Sequence, residues 1–299
     1  VVAEARLTAS GSLEAPSGLA MPWESFSKLM ASLAQSVCPT CDWSGTRLII
    51  VDGNDRISHF TSEAGGIITL DVDILRLWDG QHPGLRALLE MELEHELRHA
   101  KVAMLRPARA PPSRPHRLVE ELVITFLEAR RFLGYSSETR ESILAFLDDD
   151  NDYDHQEFRN RVLRPAHERG LEAAMPDLIL YVTDRSIYSY PGIENALQTL
   201  GDLAKRPEAF RATIGQFQLD VPAELINELL ETVAVIVRSL ESGQFIPAQR
   251  GRISVEAQRL VEEIRGLTAD ELAALSAQER TELVLQLIQI GAFAVLPDV

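Results

Sequence analysis

Apolar residues recur at spacings of three and four along the segment 85–104, and this period marks one buried face of a helix. The face consists of Leu85, Leu88, Leu89, Leu93, Leu97, Ala100 and Met104. The preceding His82-Pro83-Gly84 suits a helix start, because proline is favoured in the first turn. A second run with helical period, residues 117–131, is followed by Gly134, which suits a C-terminal cap. The centre of the chain therefore predicts two successive helices.

The segment before these helices has the patterns of strands. Residues 47–51 are a short apolar run, residues 52–55 are rich in turn formers and residues 56–60 alternate, which together predict a hairpin. A further strand is expected at 67–72. Upstream, one amphipathic helix is expected around residues 23–33, in an otherwise partly irregular segment.

From about residue 138 onward the pattern is mostly helical, with apolar spacings of three and four at 221–243, 254–267 and 277–294. The predicted class is α+β. Residues 1–44 form an N-terminal segment that packs on the core or acts as a prosegment, 45–135 a core with a small sheet, and 136–299 a helical lobe. A chain of 299 residues with 45% hydrophobic residues is long enough to bury such a core.

The first central helix contains His95-Glu96-Leu97-Arg98-His99, a His-Glu-x-x-His element. Positions four apart on a helix face the same way, so His95 and His99 can share one metal ion with Glu96 beside them. Imidazole is a good zinc ligand, and a carboxylate next to zinc can accept a proton from water. The alternative is an ordinary surface helix that carries two polar histidines.

A catalytic zinc site takes three protein ligands, and the second central helix offers Glu120 and Glu121. His116 is a possible substitute ligand in proline-rich surroundings. The alternative for the acidic residues of this helix, Glu128 included, is a solvated acidic face.

With this pair of helices the chain resembles the gluzincins, zincin metallopeptidases that pair His-Glu-x-x-His with a glutamate on the following helix. In that family an Asp or Asn four residues after the ligand glutamate often orients a zinc histidine. Glu121 has Thr125 at that place, whereas Glu120 has Ile124, which cannot form such a hydrogen bond. The resemblance covers residues 45–134 and implies that His95, His99 and Glu121 hold Zn²⁺.

The resemblance also implies a function. We expect a zincin-like core that hydrolyses peptide bonds as a zinc-dependent endopeptidase, with protein or peptide substrates. Glu96 then takes a proton from the zinc-activated water and passes it to the leaving amine. In zincins an edge strand of the sheet binds extended substrate, and this chain is expected to do likewise. The alternatives are a catalytically inactive binding or regulatory protein on the same fold, and an acidic helical scaffold without metal.

Charge and composition exclude some partners. The net charge of −16 argues against nucleic acid and anionic membranes, because phosphate binding needs a basic surface. No run approaches the roughly 20 apolar residues that span a bilayer, so we expect a soluble protein. No signal peptide is recognisable, and we expect a cytoplasmic rather than a secreted protein. Since the chain begins at Val1 and not at a methionine, removal of a leader is a second possibility. The pattern does not indicate an oligomeric state.

Three further segments leave their chemistry open. The Cys38-Pro39-Thr40-Cys41 sequence is compatible with reduced thiols, half a zinc site, a redox pair or a local disulfide. The connector 105–116 is rich in proline and arginine, and is either a basic rim to a cleft or a solvated loop. An oxyanion-stabilising donor would come from the helical lobe, where spacing selects none of Tyr181, Tyr188, Tyr190, His155 and His167.

Overall fold

The structure, a computed structural model, describes residues 3–14, 23–51, 58–61, 66–71, 83–106, 113–149, 153–185 and 193–241. By its internal contacts the chain divides into two units, Val1–Arg238 and Ser239–Val299. All residues discussed below as part of the site belong to the first unit. The expected helices at 254–267 and 277–294 lie outside the described residues.

The described residues form a mixed sheet and a larger set of helices, which confirms the α+β class. The strands are β1 (Ala3–Leu7), β2 (Leu13–Glu14), β3 (Arg47–Val51), β4 (Ser58–Thr61) and β5 (Ile67–Asp71). The helices are α1 (Trp23–Val37), α2 (Pro83–Leu105), α3 (Arg114–Gly134), α4 (Ser137–Asp149), α5 (Tyr153–Phe158), α6 (Arg164–Arg169), α7 (Leu171–Arg185), α8 (Ile193–Ala204), α9 (Pro207–Phe217) and α10 (Ala223–Glu241), with a π-helical turn at Arg159–Leu163 between α5 and α6. Among these residues no helix has the length and apolar character needed to cross a membrane.

The sheet has the strand order β2-β1-β3-β5-β4. Strand β1 is antiparallel to β2 and β3, β3 is parallel to β5, and β4 is antiparallel to β5. In this register Leu48 lies opposite Ile68 and Ile50 lies opposite Leu70, and all four are buried. Alternation therefore places one apolar face of β3 and β5 in the core, against the helices.

The expected hairpin between residues 47–51 and 56–60 is wrong. Strands β3 and β4 do not pair with each other, because β5 lies between them. Pairing β3 with β5 puts the two most apolar strands side by side inside the sheet and leaves the short β4 at its edge. The sequence also showed no sign of β1 and β2, which bring residues 3–14 of the N-terminal segment into the same sheet.

Helix α2 lies between the sheet and the other helices. It packs against α1, α3 and α4, and it also contacts β4 and β5. Its buried positions include Leu85, Leu88, Leu89, Leu93, Leu97 and Ala100, which confirms the predicted face up to its last member. Met104 is only half-buried. On the side of α1, the Lys101 ammonium donates a hydrogen bond to the backbone carbonyl of Val37 at 2.9 Å.

Helix α3 runs antiparallel to α2 and is the centre of the helical part. It contacts α2 on one side and α7, α8 and α9 on others. From Leu118 to Ala129 every residue except Glu121 is buried. Ser113 caps the N-terminus by accepting a hydrogen bond from the backbone N–H of His116, and the helix ends at Gly134 as predicted. A helix buried on nearly all sides must pair its polar residues within the core, and α3 carries Glu120, Thr125 and Glu128 there.

Candidate metal centre

The structure brings His95, His99 and Glu121 together between α2 and α3. The Nε2 atoms of the two imidazoles are 3.2 Å apart. The Glu121 carboxylate approaches both, with Oε2 at 3.2 Å from His99 Nε2 and Oε1 at 3.8 Å from His95 Nε2. These three side chains lie close enough to hold one metal ion, and the described part of the chain has no other such group of His, Cys, Asp and Glu.

The spacing of these donor atoms is close to that of ligands sharing one zinc ion. Ligands about 2.0–2.2 Å from a tetrahedral centre lie about 3.3 Å from one another. The separations of 3.2 Å between the two imidazoles and 3.2 Å between His99 and Glu121 are close to that value. The 3.8 Å distance from His95 runs to the other carboxylate oxygen of Glu121, Oε1, so the carboxylate faces both imidazoles. Two nitrogens and one oxygen on three corners would leave the fourth corner for water or substrate.

The other nitrogen of each imidazole faces a second carboxylate. His95 Nδ1 is 2.7 Å from Glu128 Oε2, and His99 Nδ1 is 2.9 Å from Glu120 Oε1. An ionised carboxylate only accepts hydrogen bonds, so each Nδ1 carries the hydrogen and donates it. In the neutral ring this leaves the Nε2 lone pair directed at the shared position. Two such lone pairs at 3.2 Å repel each other unless a proton or a cation lies between them.

Glu96 is buried on the same helix, with about 6% of its surface exposed. Burial raises the pKa of its carboxyl, and the nearby His95 and His99 oppose that shift. For His95, whose charged form is the protonated one, burial instead lowers the pKa. For His99 the effect of burial is outweighed by its hydrogen bonds to Glu120 and Glu121, so its pKa is well above the ordinary value. The hydrogen bonds to Glu120 and Glu121 thus favour positive charge on His99, whereas burial disfavours it on His95.

The carboxylate of Glu120 is shared with an arginine. Arg106, at the end of α2, places a terminal guanidinium nitrogen 2.9 Å from Glu120 Oε2, while Oε1 faces His99. The sequence assigned Arg106 to a connector that is either a basic rim or a solvated loop. Instead this side chain is turned inward and only 16% exposed. Residues 107–112 of that connector lie outside the described residues.

Burial also decides between two interpretations of the acidic residues. Glu120 and Glu128 are buried, so the alternative of a solvated acidic face is wrong for both. Glu121, whose side chain is 40% exposed, is the one acidic residue of the three that is partly accessible. The two imidazoles are largely covered, with 13% and 14% of their side chains exposed, and an ordinary surface helix does not describe α2.

Neither Thr125 nor His116 has the role that was considered for it from the sequence. Thr125 is buried in α3, but both Nδ1 atoms already have carboxylate partners, so its hydroxyl orients neither imidazole. His116, considered as a substitute ligand, is not in the metal-binding group, and its ring packs edge-on against Phe217 at 4.9 Å between ring centres. The sequence contained a signal for Glu128, because a residue seven positions after Glu121 lies two turns on along the same face.

Two of the candidate oxyanion donors lie among the described side chains, and both pack against aromatic rings. Tyr181 is buried against Phe158, and His167 packs on Phe132 of α3. Tyr188 and Tyr190 lie outside the described residues, as does the side chain of His155. Cys38 and Cys41 form a disulfide that closes the turn after α1, so the structure has neither reduced thiols nor half a zinc site at this pair.

Comparison with protein-family models, with curated proteins and with solved structures finds no match to this chain. The description of the site therefore depends on its own geometry.

Proposed function

We propose that this protein is a zinc-dependent peptidase, an endopeptidase on a zincin-like core, with His95, His99 and Glu121 as the metal ligands. The observation that carries the proposal is the meeting of two imidazole Nε2 atoms and one carboxylate at a single point, beside a buried Glu96. Two imidazoles and a carboxylate are the donor set of known catalytic zinc sites, and they leave one position open. A half-exposed Glu121 supports an opening on this side of the site.

Zinc, when bound, supplies Lewis acidity that lowers the pKa of water and polarises a carbonyl group. Glu96 is the proton carrier of the proposed reaction. Its carboxylate interacts electrostatically with both ligand histidines and with Glu121, so it lies at the site without being one of the three donors. It takes a proton from the attacking water and later delivers it to the leaving amine, as a general base and then a general acid.

An extended peptide has a place to bind at strand β4. This strand is at one end of the strand order and also contacts α2, the helix that carries the histidines. A peptide that adds to an edge strand gains backbone hydrogen bonds and lies along it in a fixed register. Strand β4 runs antiparallel to β5, and a substrate beside it would be held in an extended form near α2.

The test is the Glu96→Gln variant of the full chain, with metal content and peptide cleavage measured on the same sample. We expect one zinc per chain in both proteins and a rate reduced by about 10²–10⁴-fold in the variant, the usual contribution of a positioned general base. Glu90→Gln is the matched control on the same helix, because Glu90 pairs with Arg86 and Arg131 and not with the imidazoles. It should cleave at the wild-type rate.

Cleavage by Glu96→Gln at the wild-type rate would refute the mechanism. A wild-type protein that binds zinc but cleaves no member of a diverse peptide library, followed by mass spectrometry, would support the inactive, metal-binding alternative. Absence of zinc binding in the wild type would contradict the metal site itself and favour the acidic scaffold.

A further inference from the structure

We propose that Glu120 and Glu128 are positioning residues of the metal centre, each of which holds one ligand histidine with its Nδ1–H fixed and its Nε2 directed at the metal. The inference deepens the proposed function, and it rests on the metal site rather than on the catalytic step. Nothing in the short motif of α2 supplies these carboxylates, since both come from α3. The expected helper for a zinc histidine, Thr125, takes no part.

The contacts are short and buried. The Glu128 side chain is 3% exposed and places Oε2 at 2.7 Å from His95 Nδ1. The Glu120 side chain is 9% exposed and places Oε1 at 2.9 Å from His99 Nδ1. A carboxylate taken out of water is costly unless it is paired, so neither side chain would occupy these positions without its imidazole and a further cationic partner.

That further partner is in each case an arginine, either from α2 or from the residue just after its end. Arg106 bonds the second oxygen of Glu120 at 2.9 Å. Arg98, which is largely buried and also pairs with Glu94, interacts electrostatically with Glu128. Glu120 thus lies between an imidazole and a guanidinium, whereas Glu128 is hydrogen-bonded to its imidazole and attracted by the charge of Arg98. This arrangement fixes the carboxylate, and the carboxylate in turn fixes the ring.

The spacing along α3 follows from the direction of the Nδ1 atoms. The two Nε2 atoms point toward each other, so the two Nδ1 atoms point away from each other along the helix. His95 and His99 are separated by about 6 Å of helical rise, and Glu120 and Glu128 by about 12 Å. Because α3 is antiparallel to α2, the earlier glutamate meets the later histidine, and Glu121 falls between the two supports. Thr125, one turn after Glu121, lies near the midpoint between Glu120 and Glu128, too far from either Nδ1 atom to bond it.

The same antiparallel register continues away from the metal. Glu94 pairs with Arg131, which also hydrogen-bonds the hydroxyl of Tyr135 at 2.9 Å, and that hydroxyl donates to the backbone carbonyl of Ala87 at 3.2 Å. These contacts hold the two helices together but touch neither imidazole. They provide a control, because they separate loss of helix packing from loss of histidine positioning.

Zinc affinity, measured by competition with a chromophoric chelator, tests the proposal on the full chain. We expect Glu128→Ala and Glu120→Ala to weaken zinc binding by about 10–100-fold, the usual effect of losing an outer partner of a metal ligand. Glu128→Gln should fall between Glu128→Ala and the wild type, because the amide oxygen still accepts the Nδ1 hydrogen without a charge. Tyr135→Phe, which removes the hydroxyl between Arg131 and the Ala87 carbonyl, should lower thermal stability and leave zinc affinity near that of the wild type.

Imidazole ¹⁵N chemical shifts give a readout that a purely structural role would not change. In the zinc-loaded wild type, both rings should carry hydrogen on Nδ1, and in Glu128→Gln and Glu128→Ala the His95 signals should move while those of His99 remain.

Four outcomes decide between the ideas. Wild-type zinc affinity in both alanine variants would overturn this inference and leave the proposed function intact. An equal loss in Tyr135→Phe and Glu128→Gln would also overturn it, since the cause would then be helix packing. Unchanged ¹⁵N shifts in folded Glu128→Gln would do the same. Failure of the wild type to bind zinc would instead refute the proposed function from which the inference starts.

Discussion

A histidine that binds a metal almost always donates its other ring N–H to a hydrogen-bond acceptor, and this feature distinguishes the two ligand histidines from His116. His95 and His99 each have Nδ1 on a carboxylate. His116 has its ring against Phe217, and burial together with Arg106 lowers its pKa. We therefore expect His99→Ala to reduce bound zinc from one per chain to near zero, while His116→Ala retains the full amount. Metal analysis after gel filtration measures both, and zinc loss in His116→Ala would make that residue a ligand.

Glu121 and Glu120 are neighbours in sequence with different positions at the site. Glu121 places one oxygen near each Nε2 atom, whereas Glu120 contacts only the Nδ1 side of His99. Removing a donor atom costs more than removing a support, so Glu121→Ala should weaken zinc binding by more than the about 10–100-fold expected for Glu120→Ala. Chelator competition gives the two affinities. The reverse order would show that Glu120 is the ligand.

At the scale of elements, the start of α2 is fixed by a close approach to α4. A Cβ built on Gly84 would lie 2.4 Å from the backbone oxygen of Ser142, a distance that requires the helices to move apart. Gly84→Ala should therefore reduce the free energy of unfolding by about 1–3 kcal/mol, in spite of the better helix propensity of alanine. Gly134→Ala, at the end of α3 with nothing within 4 Å, should be neutral or stabilising by about 0.5–1 kcal/mol. Chemical denaturation compares the two, and equal effects would contradict the packing argument.

Binding of the substrate at strand β4 would have a measurable consequence for peptide cleavage. If the peptide adds to this edge, every second backbone N–H of the substrate is used and the alternate ones are not. N-methylation scanned along a cleaved peptide should lower kcat/KM with a period of two, by about 5–10-fold for each lost hydrogen bond of 1–1.5 kcal/mol. A uniform loss at all positions, or none, would exclude pairing with β4.

The elements show which parts of the fold the sequence could predict. Apolar period alone located α2 and α3, because each buries a long continuous face, and their ends at Pro83 and Gly134 are confirmed. Local pattern did not predict the pairing of strands. Segment 56–60 alternates as a hairpin partner would, yet β5 is more apolar and takes the place beside β3. The sheet partner depends on competition among distant segments, which a single strand pattern does not contain.

Some residues of the candidate site could be predicted from the sequence and others could not. The two histidines and Glu96 follow from spacing on one helix, and the structure brings Glu121 to them as the resemblance implied. The supports were missed, because Glu120 and Glu128 reach the rings only when the register of the antiparallel pair α2 and α3 is known. In the sequence Glu120 looks like an ordinary surface glutamate, and the signal for Glu128 is only its place two turns after Glu121 on the same helix face. Their burial is a property of α3 as a central helix, which no local pattern indicates.

At the scale of the whole molecule, the acidic composition should make stability depend on a cation. The net charge is −16, and three glutamates, Glu96, Glu120 and Glu128, are buried around the two imidazoles. A ligand that binds only the folded state at 100 times its dissociation constant stabilises that state by about 2.7 kcal/mol. For a domain of this size such a gain raises the melting temperature by about 5–10 °C.

Calorimetry with and without zinc tests this coupling on the full chain. We expect the melting temperature of the first unit to rise with free zinc and to return to the starting value on addition of a chelator. His95→Ala should abolish the rise, because its loss removes a donor from the metal group. A rise of equal size in His95→Ala would mean that zinc stabilises the chain through its many other carboxylates, and the site between α2 and α3 would then not be the source of the effect.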